Sequence, residues 1–127
     1  MTDVNRVPAE QLIDAIVLRD FSRLGGCFQE GCRLRAFTPN NVLGTFGPEG
    51  AVVTYRNWFG DAERHALVEQ SVDAVSDRLR VRYLLDVTEN GERTLCEQVA
   101  YIEVVDNKIA DLTLICCGHR PFVEAGG

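Results

Sequence analysis

Residues 65–117 read HALVEQSVDAVSDRLRVRYLLDVTENGERTLCEQVAYIEVVDNKIADLTLICC, and this stretch decides the fold. Turn-forming pairs at Ser76-Asp77, Asn90-Gly91 and Asp106-Asn107 divide it into four apolar-rich segments. Asn90-Gly91 is the strongest of these signals, because both residues tolerate the positive φ that a tight hairpin needs. From Arg78 to Thr88 the chain alternates, with Leu79, Val81, Tyr83, Leu85 and Val87 set against Arg80, Arg82, Leu84 and Asp86. A period of two is that of a strand with one buried face. The expectation is an antiparallel meander of strands His65–Val75, Arg78–Thr88, Leu95–Val105 and Ile109–Cys117.

Upstream, Gly47-Pro48-Glu49-Gly50 puts proline at a first helical position and a carboxylate near the positive helix end. The helix should run through Val52, Tyr55, Trp58 and Phe59, one apolar and aromatic stripe, and stop at Gly60-Asp61. Before it, Arg33–Phe37 alternates and ends at Thr38-Pro39, which suits a short edge strand. Asn40-Asn41 turns the chain into a second short strand, Val42–Phe46. Pro8 suits the first turn of an N-terminal helix in which Leu12, Ile13, Ile16, Val17, Phe21 and Leu24 recur at helical spacing. Two endings fit that helix. Gly25-Gly26 stops it, or it breaks near Asp20, which then caps a second short helix running to Phe28. Either way the helix ends by about residue 30. The tail Val123–Gly127 is expected to fray. The element order gives an α+β class: a curved antiparallel sheet wrapped around N-terminal helices, one cone-shaped domain over residues 1–127.

A chain of 127 residues, 46% hydrophobic and 25% charged, is long and apolar enough for a single packed core. A net charge of −6 with no basic run argues against nucleic-acid partners. No apolar run is long enough to span a bilayer, and MTDVNRVPAEQ has no signal pattern. The expectation is therefore a cytoplasmic protein with no membrane partner. All basic residues except Lys108 are arginine, a usage that fits a GC-rich bacterial genome. Cys27, Cys32, Cys96, Cys116 and Cys117 are odd in number, and two are adjacent. They read as reduced thiols serving as small buried apolar groups. Cys116-Cys117-Gly118-His119 groups two zinc-ligand types, but no Cys-x-x-Cys pair accompanies it, so no metal is expected. Nor does any motif imply a cofactor. Gly47-Pro48-Glu49-Gly50 lacks the Lys and Ser/Thr of a phosphate loop.

The helix around Leu12–Leu24, the Gly47-Pro48-Glu49-Gly50 helix start, Trp58-Phe59, the Asn90-Gly91 hairpin, Glu97-Gln98 and Ile109–Cys117 leading into Gly118-His119-Arg120-Pro121 form one pattern. In this order and spacing the chain resembles the nuclear-transport-factor-2-like superfamily, and within it the SnoaL-like, polyketide-cyclase-like bacterial branch, over about residues 9–122. The resemblance implies a cystatin-like α+β roll and a homodimer through the outer sheet face. It also exposes departures from catalytic members. Isomerase-like members use a Tyr and two carboxylic acids in the pocket, whereas the first helix here offers an aliphatic stripe and Phe21. Epoxide-hydrolase-like members use an Asp-Arg-Asp set, and none is assigned here. Cyclase-like members use an Asp and His pair on late strands. Asp111 fits that region, but His65 opens an earlier strand and His119 lies past the sheet.

The face of Glu97 depends on the Asn90-Gly91 turn. A two-residue loop sets Tyr83 opposite Gln98 and Leu85 opposite Cys96; a three-residue loop with Gly91 at a bulge sets Tyr83 opposite Glu97 and Val81 opposite Val99. The second is preferred, because it puts Val99 and Tyr101 inside with Leu95 and Glu97. Burial would then raise the Glu97 pKa toward a useful range for proton transfer, making it a general base with Tyr83 or Tyr101 donating to an enolate oxygen. The same logic at Asp106-Asn107 places Ala110, Leu112, Leu114 and Cys116 inside. Ile16, Phe21, Tyr55, Trp58, Phe59, Val81, Val99, Leu114 and Cys116 are the expected pocket walls, with His119 at its mouth. Arg120 suits a ligand carboxylate or an anchor for the tail. Three functions are compatible. The first is binding of a hydrophobic or aromatic small molecule in the cone. The second is a polyketide-cyclase or ketosteroid-isomerase type of lyase or isomerase using Glu97. The third is a non-catalytic dimeric interaction module whose outer face carries Leu84, Cys96 and Ile115.

Overall fold

The structure, a computed structural model, describes residues 5–121. The tail expectation for Val123–Gly127, and Phe122 at the limit of the family-like core, lie outside the described residues. The N-terminal helix breaks near Asp20, as one of its two readings has it, but the second helix stops at Gly25 rather than running to Phe28, which opens the first strand. Helix α1 covers Val7–Leu18 and ends at Arg19, which is left-handed at φ 53°. Asp20 restarts the helix: its carboxylate accepts the Arg23 N–H at 3.1 Å and caps α2, Phe21–Gly25. Leu12, Ile13, Ile16 and Leu24 face the core.

Strand β1, Phe28–Thr38, is longer than its sequence signal suggests, and it is not an edge. It pairs antiparallel with β2, Asn41–Phe46, and parallel with β6, Lys108–Cys116. Pro39 marks where the strand stops, and β2 takes the edge. Helix α3, Gly47–Phe59, starts at a glycine with φ 81° and packs against β1. An added Cβ at its Gly50 would lie 2.0 Å from Thr45 Oγ1, so any side chain there forces Thr45 to move.

The meander is present as β3 Arg64–Val75, β4 Arg78–Glu89, β5 Glu92–Val105 and β6 Lys108–Cys116. The sheet order is β2-β1-β6-β5-β4-β3, and a short β7, Arg120–Pro121, pairs with the start of β5. Every pairing except β1 with β6 is antiparallel. Among the described residues no helix is long and apolar enough to cross a membrane.

The Asn90-Gly91 turn takes the two-residue form. Asn90 and Gly91 have φ 54° and 77°, and Glu89 stands opposite Glu92. Because both residues accept positive φ, the hairpin closes without a bulge. This overturns the preferred register. Tyr83 faces Gln98 and Leu85 faces Cys96, so Cys96, Gln98, Ala100 and Ile102 line the inner face while Glu97, Val99 and Tyr101 point outward. At Asp106-Asn107 the expected inner row is corrected at one position. A register shift between Glu103 and Val104 buries the bulkier Ile109 and leaves Ala110 half-buried, while Leu112, Leu114 and Cys116 are inside as expected. The inner rows share one core with α1, α2 and α3.

Candidate ligand site in the cone

Tyr83 on β4, Gln98 on β5 and Cys116 on β6 stand in one cross-strand row on the concave face. The Tyr83 hydroxyl donates to Gln98 Oε1 at 2.5 Å, and Gln98 Nε2 donates to Cys116 Sγ at 3.3 Å. Gln98 is 0% exposed and has both ends of its amide bonded, as burial demands. Tyr55 reaches the same region from α3. Its hydroxyl is fully buried and, among the described residues, has no hydrogen-bond partner. Tyr55 and Tyr83 perturb one another, but the Tyr83 proton is directed to Gln98, and the two hydroxyls do not meet in a formed hydrogen bond. Burial pushes both phenols above their ordinary value, so both stay protonated donors at neutral pH.

Aromatic rings close one end of this set. Tyr55 and Trp58 meet edge-on with ring centroids 5.2 Å apart, as do Trp58 and Phe59 at 6.3 Å and Phe59 and His119 at 6.4 Å, while Phe59 and His65 are tilted at 5.0 Å. His65 Nε2 lies 3.0 Å from the Ile16 carbonyl and so carries its proton, while Nδ1 is buried and, among the described residues, has no partner. Burial, the largest influence, lowers the His65 pKa and keeps Nδ1 an acceptor. His119 Nδ1 is 3.2 Å from Thr94 Oγ1. Beside Gln98, Cys96 and Cys116 bring their sulfurs to 3.8 Å.

Neither a family model nor a curated protein matches the chain. Solved structures do. A protein of Kribbella flavida, provisionally named a ketosteroid isomerase, is 18% identical with a TM-score of 0.66, covering 96% of this chain and 82% of that one. An LEH-like epoxide hydrolase of Mycobacterium tuberculosis is 14% identical with a TM-score of 0.63, covering 86% and 79%. A nuclear-transport-factor-2-like protein of unknown function from Cytophaga hutchinsonii is 13% identical with a TM-score of 0.61, covering 91% and 92%. The chain has the nuclear-transport-factor-2-like fold. At these identities the likeness carries the fold and not a reaction.

Within this nuclear-transport-factor-2-like cone the expected site residues separate into three groups. Tyr55, Phe59, Tyr83 and Cys116 gather around the polar row, with Trp58 half-buried beside them. Ile16, Val81 and Leu114 are buried apolar core. Glu97, Val99 and Tyr101 lie on the convex face and do not reach the interior. Glu97 Oε2 instead accepts from Arg82 Nε at 2.6 Å, and Arg82 also holds Glu69 at 3.3 Å, so the buried general base is not formed. Phe21 is turned away from the aromatic cap. It lines an open groove of about 460 Å³ between α2 and α3 with Gly25, Val52, Val53 and Arg56, whose guanidinium lies 5.2 Å over its ring. His119 is exposed at the rim, and Cys96 faces inward rather than outward.

Gln98, Cys96 and His65 belong to the site and were not singled out as its residues. The two-residue hairpin was the signal for Gln98 and Cys96, since it places them opposite Tyr83 and Leu85. For His65 no local signal exists, because its carbonyl partner is on α1. In the Cys116-Cys117-Gly118-His119 stretch the cysteines point to opposite faces, and no group of three or more potential ligands is gathered among the described residues. The side chains of the cone close on one another: Tyr55, Tyr83 and Gln98 are 0% exposed, so the site is presented shut.

Proposed function

We propose that the protein binds a small, largely apolar molecule with one hydrogen-bonding group inside the cone, against Tyr55, Tyr83, Gln98 and Cys116. The carrying observation is the Tyr55 hydroxyl, buried without a partner beside a polar row in an otherwise apolar core. An unpaired buried donor costs roughly 1–3 kcal/mol, which an acceptor on the ligand would recover. A ketone or phenol oxygen with an aromatic body suits that donor and the Trp58, Phe59, His65 and His119 cap. Entry requires that cap to move, because the cone is shut without a guest. Glu97 takes no part.

Trp58 is the single tryptophan and touches Tyr55, so its fluorescence reports directly on occupancy. Titration with aromatic ketones and phenols should give saturable changes, and Tyr55→Phe should weaken the tightest of them about tenfold, the equivalent of one neutral hydrogen bond. If no member of the panel saturates, or Tyr55→Phe binds equally well, the reading fails.

A second reading, self-association through the outer sheet face, has its own observation. Val42, Phe37, Ile115 and Val99 form one cross-strand row on that face. Arg35 and Arg80, the latter paired with Asp73, flank it on one side, and Glu97 and Glu69, both held by Arg82, on the other. A two-fold axis along the row sets each basic flank of one copy against the acidic flank of the other. Sedimentation at micromolar concentration tests it, a monomer being the adverse result.

A further inference from the structure

Three donors converge on one sulfur at the end of β6. Gln98 Nε2 lies 3.3 Å from Cys116 Sγ, and the Gly118 N–H folds back to 3.4 Å. The third is Cys96, whose sulfur lies 3.8 Å away. Either thiol can donate in that contact; Cys116 already accepts two N–H groups, and once it is ionised the Cys96 S–H becomes the third donor. A neutral thiol is a poor acceptor for such an arrangement, and a thiolate is a good one. The frame is fixed by backbone and neighbours. Tyr83 holds the Gln98 amide from its other end, and Gly118 takes φ 81° with its α-carbon against Pro39, where an added Cβ would stand 3.0 Å from Cγ. The Cys96 donor, followed by Gln98, Gly118 and His119, lowers the Cys116 pKa from its ordinary value against the opposing effect of burial, while Cys96 is pushed up.

The two sulfurs also differ in access. Cys116 is 8% exposed and Cys96 0%, so Cys116 is the less deeply buried of the two.

We propose that Cys116 and Cys96 form a hydroperoxide-reactive dithiol, with Cys116 the nucleophile and Cys96 the resolving thiol. The Cys116 thiolate attacks one peroxide oxygen. An S–O bond forms, the O–O bond breaks, and the other oxygen leaves as hydroxide or alkoxide, giving Cys116 sulfenic acid. Cys96 then attacks that sulfur as the thiolate, its proton passing to the departing hydroxyl. The S–S bond forms, the S–O bond breaks and water leaves. The two thiols have together lost two electrons to the peroxide. Cys116 stands opposite Gln98, so Cys96 is its diagonal neighbour on the adjacent strand, and closing the sulfurs from 3.8 Å to a bond of about 2.05 Å asks for side-chain rotation together with a local shift of the two strands. The inference stands on the sulfur contacts and is independent of whether the cone takes a ligand.

The test treats the intact chain with one equivalent of hydrogen peroxide at neutral pH, in a Cys117→Ser background that removes the adjacent thiol. Intact mass should show loss of two hydrogens, and peptide mapping should join the Cys96 and Cys116 peptides, with Cys27 and Cys32 still alkylated. Cys96→Ser should stop at a sulfenic acid on Cys116 that dimedone traps, and Cys116→Ser should show neither product. Oxidation that falls on Cys27 or Cys32, or that is no faster at Cys116 than in the urea-unfolded chain, overturns the proposal. Should either serine variant fail to fold by circular dichroism, the mapping and rate comparison on the Cys117→Ser chain decide alone.

Discussion

Arg82 Nε and Glu97 Oε2 lie 2.6 Å apart on the convex face of the sheet, on neighbouring strands and two residues out of register. The register that sets this pair keeps Glu97 out of the interior. Both side chains are about one-third exposed, and Arg82 shares itself with Glu69. A solvent-screened pair of this kind contributes little to stability. Glu97→Gln should therefore leave ligand binding unchanged and move the urea midpoint only slightly, by less in high salt than in low. Loss of binding in Glu97→Gln, with the fold intact, would return the carboxylate to the site.

The interior predicts opposite responses from its two tyrosines. Tyr55→Phe removes a buried hydroxyl that bonds nothing, so the chain should gain about 1 kcal/mol or remain level. Tyr83→Phe strips the donor from buried Gln98 Oε1 and should cost about 1–3 kcal/mol. Urea unfolding of the two variants beside the parent checks both signs. Equal losses would mean that the Tyr55 hydroxyl is paired after all.

The Asn90-Gly91 turn gives a backbone test. A Cβ at Gly91 meets nothing within 4 Å, so only its φ of 77° opposes a side chain. Gly91→Ala should cost about 1–2 kcal/mol, the usual penalty of a left-handed alanine, with an unchanged urea slope. A larger loss with an altered slope would indicate that the strand register had slipped.

This turn also shows what the sequence could and could not settle. Alternation made Leu79–Val87 one buried face, and the structure has it so. The same alternation is silent on which face of β5 is buried, because Leu95, Val99 and Tyr101 compete with Cys96, Ala100 and Ile102. Burying the bulkier row looked better, but turn geometry outweighed side-chain size, and one residue of register moved Glu97 out and Gln98 in. The β1–β6 pairing is parallel and joins residues far apart in the chain, which no local pattern reports. The break at Asp20 was legible because an N-cap is a local event. The Tyr83–Gln98–Cys116 row needs three strands in register at once, so it became visible only in the fold.

His65 sets a pH dependence with a definite sign. Burial, the largest influence, holds its folded-state pKa below the ordinary 6.5, the Ile16 carbonyl opposing it. The folded chain thus binds fewer protons than the unfolded one in the interval between the two values. Stability is full above about pH 6.5 and falls as the pH drops through that interval. Asp86, lowered by its Arg93 bonds, acts in a separate window: its contribution is present above its ordinary 3.8 and lost below. His65→Gln keeps a donor for Ile16 but no titrating ring. Its urea midpoint should stay flat from pH 7 to about pH 5, where the parent declines. A parent midpoint that is itself flat over that range would show that His65 is not protonated on unfolding.

Ile115 tests the outer face. It is 54% exposed at the centre of the Val42–Phe37–Ile115–Val99 row, so a charge there disturbs no core packing. In a dimer through that row, the two-fold axis brings the Ile115 of each copy close to the other, and Ile115→Arg puts two like charges there out of water. The variant should sediment as a folded monomer at concentrations where the parent is a dimer. Its circular dichroism and Trp58 emission should match the parent's, since the concave face is untouched. Arg80→Glu supplies the orientation test: it reverses one flank, and partial recovery on adding Glu97→Arg would fix the axis along the row. A parent that stays dimeric with Ile115→Arg would place its interface elsewhere.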